Sequence, residues 1–383
     1  RDSFTLIDAD GNEKASAIAD LRPIISAKLP VEDPVLWNGR KNPYLYTVRC
    51  EIFDSTTQEV TDNIDIRTGL REYHIDSHKG FFLNGEHIKL QGVSRHQDRE
   101  NMGNAITEKQ HAEDVKIILD VGANSVRLAH YQQNSYFYDL CDESGLLVWA
   151  EVPVISRFSP KRNENAEQQL VELIKQNYNH PSIFCWGIEN EITIAGSASK
   201  KLITFLKHMH KVARHLDPTR YTTCAQLTMC PVNSPLNHIT DIIGYNHYYG
   251  WYMGSCDEIN NWLDEWHREN PEGKLCLSEY GAEGITKYHS DSPVQGDYSE
   301  DYQAIYHEHY IKSINERDWL WGSYVWNMFD FGSASRNEGG VRGRNNKGLV
   351  TFDRKTKKDA FWLYKAYWSD KKFVHITGER YVN

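Results

Sequence analysis

The stretch Ile183-Phe-Cys-Trp-Gly-Ile-Glu-Asn-Glu191 changes abruptly from an apolar run to an acidic tip. A short, continuous apolar run is typical of a strand that is buried on both faces, as strands in parallel sheets are. The stretch Leu275-Cys-Leu-Ser-Glu279 also ends in an acidic residue. Because the functional residues of a parallel barrel lie at the C-terminal ends of its strands, both tips are candidate site residues.

Similar strands recur from about residue 73 onward, with helical segments between most of them. The eight strand candidates are Ile88–Val93, Ser125–Leu128, Leu146–Val152, Ile183–Ile188, Tyr221–Ala225, Ile242–Asn246, Leu275–Glu279 and Gly322–Trp326. An apolar stripe at helical spacing runs along residues 201–216 and is closed by Pro218, and a similar stripe in Glu108–Val121 precedes Gly122. Eight such units in about 300 residues favour a TIM (β/α)8 barrel over an open doubly wound sheet.

The first 72 residues show strand signals only. Tyr44–Phe53 alternates between two faces, Asn63–Arg67 follows a polar turn, and Asp8-Ala-Asp-Gly11 is a hairpin signal. We therefore predict the later part of a β-sandwich at residues 1–72 and the barrel at 73–368. The strand-like run Phe373–Thr377 predicts the start of a further, truncated β segment at 369–383. Since the first residue is Arg1 rather than Met, we expect the native start to have been removed.

Composition excludes several classes of partner. The 383 residues include 43 basic and 53 acidic side chains, a net charge of −10, and the basic ones are scattered, so no nucleic-acid partner is expected. No apolar run reaches the ~18 residues of a membrane helix, and we expect a soluble protein without a membrane partner. The seven widely spaced cysteines form no CxxC pair and predict free thiols. The compartment and homo-oligomerisation stay open.

Other polar residues end further strands of the predicted barrel, namely His96, Arg127, His130, Tyr248 and Trp326 with its following asparagine. A pair of carboxyl groups at one barrel mouth is what hydrolysis of a glycosidic bond requires, and solvated or salt-bridged acids are the alternative interpretation. A nearby arginine would keep one carboxylate ionised. His96 and His130 could supply two metal ligands, but no HExxH or similar pattern occurs, so we predict no catalytic metal.

Nine stretches, spread in order over the predicted barrel, carry a resemblance to a known family. They are Gly80-Phe-Phe-Leu-Asn-Gly85, Gly92-Val-Ser-Arg-His-Gln-Asp98, Val126-Arg-Leu-Ala-His-Tyr131, Val148-Trp-Ala-Glu-Val-Pro153, Trp186-Gly-Ile-Glu-Asn-Glu191, Tyr245-Asn-His-Tyr-Tyr-Gly-Trp-Tyr252, Ser278-Glu-Tyr-Gly281, Trp326-Asn-Met-Phe-Asp-Phe331 and Asn345-Asn-Lys-Gly-Leu-Val-Thr-Phe-Asp-Arg354. At these residues the sequence resembles glycoside hydrolase family 2, and looks most like its β-galactosidases. The resemblance implies an immunoglobulin-like sandwich before the barrel.

The resemblance also implies roles for the two acidic tips and their neighbours. Glu191 matches the general acid/base and Asn190 the residue that binds the sugar 2-hydroxyl. Glu279 matches the nucleophile, and Tyr248 and Arg127 match the residues that support it. The implied reaction is double displacement with retention of configuration.

Three more residues, His96, His130 and Trp326, match the lining of the subsite for the terminal sugar. Many β-galactosidases of the family hold magnesium through acidic and histidine residues just after the third strand. The corresponding stretch here, Glu151-Val-Pro-Val-Ile-Ser156, does not provide them. We therefore expect no cofactor and no bound cation.

The substrate prediction rests on fewer residues. Leu128–Tyr131 and Trp149–Glu151 favour a β-D-galactoside, as an oligosaccharide or other glycoside. The Asn-x-Lys spacing of Asn345 and Lys347 also resembles the carboxylate-recognition motif of the family's β-glucuronidases, so a β-glucuronide is the alternative, followed by another β-glycoside. A non-catalytic carbohydrate-binding fragment is the alternative from a different class.

Overall fold

The structure, a computed structural model, describes residues 2–20, 25–54 and 56–377. Within these ranges, eight parallel strands close into a barrel, and antiparallel strands precede it. The predicted fold class, a TIM barrel after an all-β segment, is confirmed. The last six residues of the segment predicted at 369–383 lie outside the described ranges.

Nine strands of the described residues precede the barrel. They are β1 (Asp2–Ile7), β2 (Glu13–Ala19), β3 (Trp37–Asn38), β4 (Asn42–Pro43), β5 (Tyr46–Phe53), β6 (Val60–Thr68), β7 (Tyr73–Asp76), β8 (Gly80–Leu83) and β9 (Glu86–Ile88). An antiparallel sheet has the order β2-β1-β5-β6, and its first hairpin turns at Asp8–Gly11 as predicted. The Asp8 carboxylate stabilises that turn by accepting the backbone N–H of Asp10 and of Asn12.

The barrel strands follow in chain order, each paired with its neighbours in parallel. They are β10 (Leu90–Arg95), β11 (Ser125–Leu128), β12 (Leu147–Glu151), β13 (Ile183–Asn190), β14 (Tyr221–Leu227), β15 (Ile242–Asn246), β16 (Leu275–Tyr280) and β17 (Gly322–Val325). All eight predicted strands form, and their ends differ from the predicted bounds by at most two residues. An antiparallel hairpin of β18 (Phe331–Glu338) and β19 (Val341–Asn345) follows β17.

Helices pack around the barrel. The α-helices of the described ranges are α1 (Glu108–Asp120), α2 (Ser135–Ser144), α3 (Asn163–Asn177), α4 (Lys200–Leu216), α5 (Glu258–Glu269), α6 (Glu300–Asn315) and α7 (Asp359–Trp368), with short 3-10 helices at Gly39–Lys41, Pro160–Arg162 and Pro235–His238. The predicted stripe of α4 is buried, and the Ser199 hydroxyl caps the helix by accepting the N–H of Leu202. No helix of the described ranges combines the length and apolar composition that crossing a bilayer requires.

The strand predicted at Phe373–Thr377 is wrong, because these residues form no regular secondary structure. Val374 and Ile376 are 92% and 74% exposed, so the alternating apolar residues bury nothing. A strand needs a partner for its backbone hydrogen bonds. His375 instead stacks on Trp362 of α7, with ring centroids 4.7 Å apart.

The segment before the barrel packs on it through close backbone contact. Gly145 ends α2 in the left-handed conformation at φ 75°, and a Cβ atom there would lie 2.2 Å from the carbonyl carbon of Gly39. Trp37 is fully buried nearby, and its indole N–H donates to the backbone carbonyl of Asp142. Gly145 is therefore required by both the helix end and this contact.

Replacing Gly145 by alanine should lower the free energy of unfolding by about 2–4 kcal/mol, from left-handed strain and from overlap with the Gly39 backbone. Urea denaturation followed by fluorescence measures the loss. Gly11→Ala is the matched control, since Gly11 has φ 87° and no atom would lie within 4 Å of its Cβ. It should lose only about 1 kcal/mol, and equal losses in the two variants would contradict the close contact.

Candidate active site

The C-terminal ends of neighbouring strands bring five polar side chains to the barrel mouth. Arg127 lies on β11, Glu151 ends β12, Asn190 ends β13, Asn246 ends β15 and Glu279 lies on β16. All five are at most 4% exposed. Since buried polar groups must find partners among themselves, these side chains form one hydrogen-bond network.

Arg127 is the centre of this network. Its Nη1 donates to Glu279 Oε1 at 2.8 Å and to the backbone carbonyl of Ser278 at 3.0 Å. Its Nε donates to Glu151 Oε2 at 3.0 Å, and its Nη2 donates to Glu151 Oε1 at 3.1 Å and to Asn190 Oδ1 at 2.7 Å. Burial alone would lower the pKa of Arg127, but the charges of Glu151 and Glu279 outweigh it and raise that pKa. The guanidinium therefore stays charged inside the barrel.

Glu279 accepts a hydrogen bond at each carboxyl oxygen. Arg127 donates to Oε1, and the hydroxyl of Tyr248 donates to Oε2 at 2.7 Å. Burial and the charge of Glu279 raise the pKa of Tyr248 well above its ordinary value, so Tyr248 remains a neutral donor. This pair of donors favours a carboxylate held in a single orientation.

Glu191 follows β13 at a turn in which its φ is 49°. Asn246 Nδ2 donates to Glu191 Oε1 at 3.0 Å. Burial and the charge of Glu279 raise the pKa of Glu191 to about 7. The two carboxyl groups therefore differ in environment: Glu279 is paired with a guanidinium, whereas Glu191 accepts from a neutral amide and can hold a proton near neutral pH.

Aromatic rings form one wall beside this network. The ring of His96 lies 5.3 Å from that of Trp326 and 4.4 Å from that of Phe331, and His130 stacks on Trp326 at 5.1 Å. Burial, together with the nearby His130 and the guanidinium groups of Arg127 and Arg95, lowers the pKa of His96 well below its ordinary value. His130 Nδ1 donates to Glu151 Oε1 at 2.6 Å, which joins the wall to the hydrogen-bond network.

A second charged cluster lies beyond Tyr248. Lys347 is fully buried, and its ammonium donates to the hydroxyl of Tyr252 at 2.6 Å and to Glu283 Oε1 at 3.2 Å. Arg336 of β18 donates to the same two side chains, at 2.7 Å each. Burial would raise the pKa of Glu283, but Lys347 and Arg336 outweigh it and lower that pKa. Asn345 Oδ1 accepts the backbone N–H of Lys347 at 3.0 Å.

The predicted site residues fall into connected groups. The network contains Arg127, Asn190, Glu191, Tyr248 and Glu279. The aromatic wall contains His96, His130 and Trp326, and the charged cluster contains Asn345 and Lys347. The Lys347 ammonium lies 5.8 Å from the centre of the Tyr248 ring, so this ring separates the charged cluster from Glu279.

Five residues of the site were not predicted as site residues. Glu151 is the last residue of β12, so the strand-end rule could have identified it. Asn246 likewise ends a strand. Tyr252, Glu283 and Arg336 lie in loops or on the hairpin, where no sequence pattern indicated that they would meet.

Only one group of side chains in the described ranges has metal-ligating atoms close enough together for an ion. It consists of Asp139 and Asp142 on α2 and His180 before β13. His180 Nδ1 donates to Asp142 Oδ2 at 2.6 Å, and the backbone N–H of Ser182 donates to Asp142 Oδ1 at 3.1 Å. These side chains are separate from the network around Arg127.

Comparisons with known proteins identify a family for both parts of the chain. The model described as "Glycosyl hydrolases family 2, TIM barrel domain" matches residues 75–373. The model described as "Glycosyl hydrolases family 2" matches residues 3–71. Together they include the antiparallel sheet and the whole barrel.

Similar proteins span more than this chain. A β-glucuronidase from Bacteroides fragilis is 43% identical over 367 residues, which cover 92% of this chain and 51% of that protein. The crystal structure of an FMN-binding β-glucuronidase from Facaelibacterium prausnitzii L2-6 matches with a TM-score of 0.95 at 48% identity, over 99% of this chain and 58% of that one. A β-galactosidase from Bacteroides ovatus is 24% identical over 453 residues, which cover 97% of this chain and 50% of that protein. The chain spans about half the length of the curated relatives it matches.

These identities overturn the predicted β-galactoside substrate. The β-galactosidase is much less similar to the chain than the two β-glucuronidases are. The prediction rested on Leu128–Tyr131 and Trp149–Glu151, which lie around Arg127 and Glu279. These stretches lie beside the two carboxyl groups and include neither Asn345 nor Lys347, on which the alternative of a β-glucuronide rested.

Glu279→Gln should lower the pKa of Glu191 from about 7, on the order of one pH unit or more. The substitution removes the negative charge that raises this pKa and leaves Glu151 as the carboxylate that pairs with the Arg127 cation, and both effects act in the same direction. Carboxyl ¹³C NMR titration of glutamate-labelled protein measures the pKa of Glu191, and the Glu191→Gln variant assigns its signal. The surface variant Glu265→Gln is the control, and an unchanged pKa would contradict the coupling.

Proposed function

The chain belongs to glycoside hydrolase family 2, and we propose that it acts as a retaining β-glucuronidase on terminal β-D-glucuronides. The observation that carries the proposal is the buried ammonium of Lys347, one tyrosine ring away from Glu279. The two similar β-glucuronidases support the same substrate class. Since those proteins are longer than this chain, the activity of the whole protein is part of the proposal.

The charges of the cluster favour an anionic sugar. Lys347 and Arg336 bring two positive charges, and Glu283 brings one negative charge. Arg336 also contacts Glu338, but that carboxylate is 40% exposed and well hydrated. Lys347 therefore shares its buried carboxylate partner, Glu283, with the partly exposed Arg336, and the C6 carboxylate of a glucuronide would give Lys347 a second negative partner.

A neutral sugar would not give Lys347 this second partner. The hydroxymethyl group of a galactoside or glucoside can accept a hydrogen bond from Lys347, but it supplies no negative charge. Buried charges are costly unless they are paired. The cluster therefore supports discrimination in favour of uronides at the end of the ring opposite the reacting carbon.

The proposed reaction has two displacements at the anomeric carbon. A carboxylate oxygen of Glu279 bonds to that carbon while the bond to the glycosidic oxygen breaks, and Glu191 gives its proton to the departing oxygen. The aglycone leaves as an alcohol, and the sugar remains as an ester of Glu279. Glu191 then takes a proton from water, whose oxygen bonds to the same carbon and releases Glu279. Two inversions retain the β configuration.

The surrounding residues prepare these steps. Arg127 and Tyr248 hold the carboxylate of Glu279 in place. Asn190 Oδ1 already accepts from Arg127 and Asn246, which leaves its amide N–H groups to donate to the sugar 2-hydroxyl. We assign the aromatic wall to the binding of the terminal sugar.

Replacing Lys347 by methionine should lower kcat/KM for 4-nitrophenyl β-D-glucuronide by at least about 30-fold, because the substrate carboxylate loses its buried cation. The rate with 4-nitrophenyl β-D-glucoside, which has no carboxylate, should change little. Absorbance assays on both substrates measure the ratio. A wild-type protein that prefers the neutral glycoside would contradict the proposed substrate.

A double variant distinguishes the loss of carboxylate recognition from a loss of protein stability. Lys347→Met leaves Glu283 with one cation fewer, so the fold could lose stability. Lys347→Met combined with Glu283→Gln removes both charges, and its thermal midpoint should be close to that of the wild type. If this double variant keeps the full preference for the glucuronide, Lys347 does not recognise the carboxylate.

Glu279→Gln should reduce turnover by roughly three orders of magnitude or more with the fold intact, because an amide oxygen cannot form the glycosyl ester. Intact-mass spectrometry after reaction with a 2-fluoro glycosyl donor should show a covalent adduct on the wild type and none on the variant. Exposed Glu265→Gln is the control. Wild-type protein that binds glucuronides without cleaving them would indicate a carbohydrate-binding fragment instead.

A further inference from the structure

Glu189 is a fully buried carboxyl group that takes no part in the mechanism above. It lies two residues before Glu191 on β13 and is 1% exposed. Its Oε2 accepts the backbone N–H of Ile192 at 3.1 Å, and its Oε1 accepts from Gln226 Nε2 of β14 at 2.7 Å. The side chain thus reaches past Glu191 and binds the backbone on its far side.

The backbone at Glu191 needs such support. A φ of 49° is unusual for a residue with a side chain and persists only where the surrounding structure holds it. Three hydrogen bonds fix the turn: Glu191 N–H to the Ala225 carbonyl at 2.8 Å, Ile194 N–H to the Glu191 carbonyl at 2.9 Å, and Ile192 N–H to Glu189. Only the last comes from a side chain.

From this geometry we propose that Glu189 is a positioning residue for Glu191, because its carboxyl group, held by Gln226, fixes the turn that places the acid/base group. The inference rests on the proposed glycosidase reaction but not on which sugar is bound. Without the Glu189 acceptor, the N–H of Ile192 would be buried and unpaired, since Ile192 is 2% exposed. The turn would then relax and move the Glu191 carboxyl group.

The protonation of Glu189 suits this position. Burial and the charges of Glu151 and Glu191 raise the pKa of Glu189 to about 8, despite hydrogen bonds from Ile192 and Cys224 that act in the opposite direction. Gln226 Oε1 is buried without a partner among the described residues, and rotation of its amide would let it accept the proton of a neutral Glu189. A neutral carboxyl group fixes the turn without adding a negative charge beside the acid.

Two substitutions of Glu189 test the proposal. Glu189→Gln keeps an acceptor for Ile192 and can donate to Gln226 Oε1, so it should retain kcat/KM within about threefold. Glu189→Leu is similar in size but has no acceptor, and displacement of Glu191 should cost about 10- to 100-fold in kcat/KM for phenyl β-D-glucuronide, whose leaving group needs the acid.

A comparison of two substrates with different leaving groups distinguishes a positioning role of Glu189 from a general loss of structure. The dinitrophenolate of 2,4-dinitrophenyl β-D-glucuronide leaves with little help from an acid. With this substrate, Glu189→Leu should lose no more than about threefold in kcat/KM. An equal loss on the two substrates, or none on either, would overturn the positioning role. If Glu189→Leu does not fold, Glu189→Gln alone still decides, because a large loss of kcat/KM in that variant also overturns it.

The same assays distinguish the two proposals. A wild-type protein that cleaves neither glucuronides nor other aryl β-glycosides overturns the proposed function and this inference with it. A wild-type protein that prefers another sugar overturns the substrate only, and the phenyl and dinitrophenyl glycosides of that sugar then test Glu189. An active wild type with an unaffected Glu189→Leu variant overturns the inference alone.

Discussion

The buried guanidinium of Arg127 is the interaction on which the rest of the site depends. Its donors hold Glu151 of β12, Asn190 of β13 and Glu279 of β16, so a single cation joins the ends of three strands to its own. A charge inside a barrel is tolerated only when its partners are complete. Removal of any one partner would leave the charges of the others incompletely compensated inside the barrel.

This arrangement also makes the two proposed catalytic carboxyl groups different. Arg127 contacts Glu279 but not Glu191, which accepts from the neutral amide of Asn246 instead. The charge of Glu279 and burial then both raise the pKa of Glu191. Glu191 is therefore suited to carry a proton near neutral pH, and the difference between the two environments follows from the position of one guanidinium, which pairs with Glu279 and not with Glu191.

The sequence predicts the parts of this protein that depend on short stretches of chain. Buried parallel strands are continuous apolar runs, so all eight were found, and Glu191 and Glu279 were found because strand ends form the barrel mouth. Glu283 and Arg336 were missed because loops and a hairpin bring them to Lys347 only in the folded chain. The strand at Phe373–Thr377 was predicted from its alternating pattern alone, without a partner strand to pair with.

The incorrect prediction of the substrate also comes from residues that loops bring to the site. In the proposed binding mode the reacting carbon is beside Arg127 and Glu279, whereas the far end of the ring would face Lys347, which follows β19 and pairs with Glu283 after β16. Tyr248 lies between the two regions, because its hydroxyl donates to Glu279 and its ring centre lies 5.8 Å from the Lys347 ammonium. Loops can therefore change which sugar is bound while the strand ends keep the same chemistry, as expected for a barrel in which function varies through loops. Motifs at the strand ends indicate the type of reaction. The substrate must be inferred from the charged residues that the loops place around Lys347.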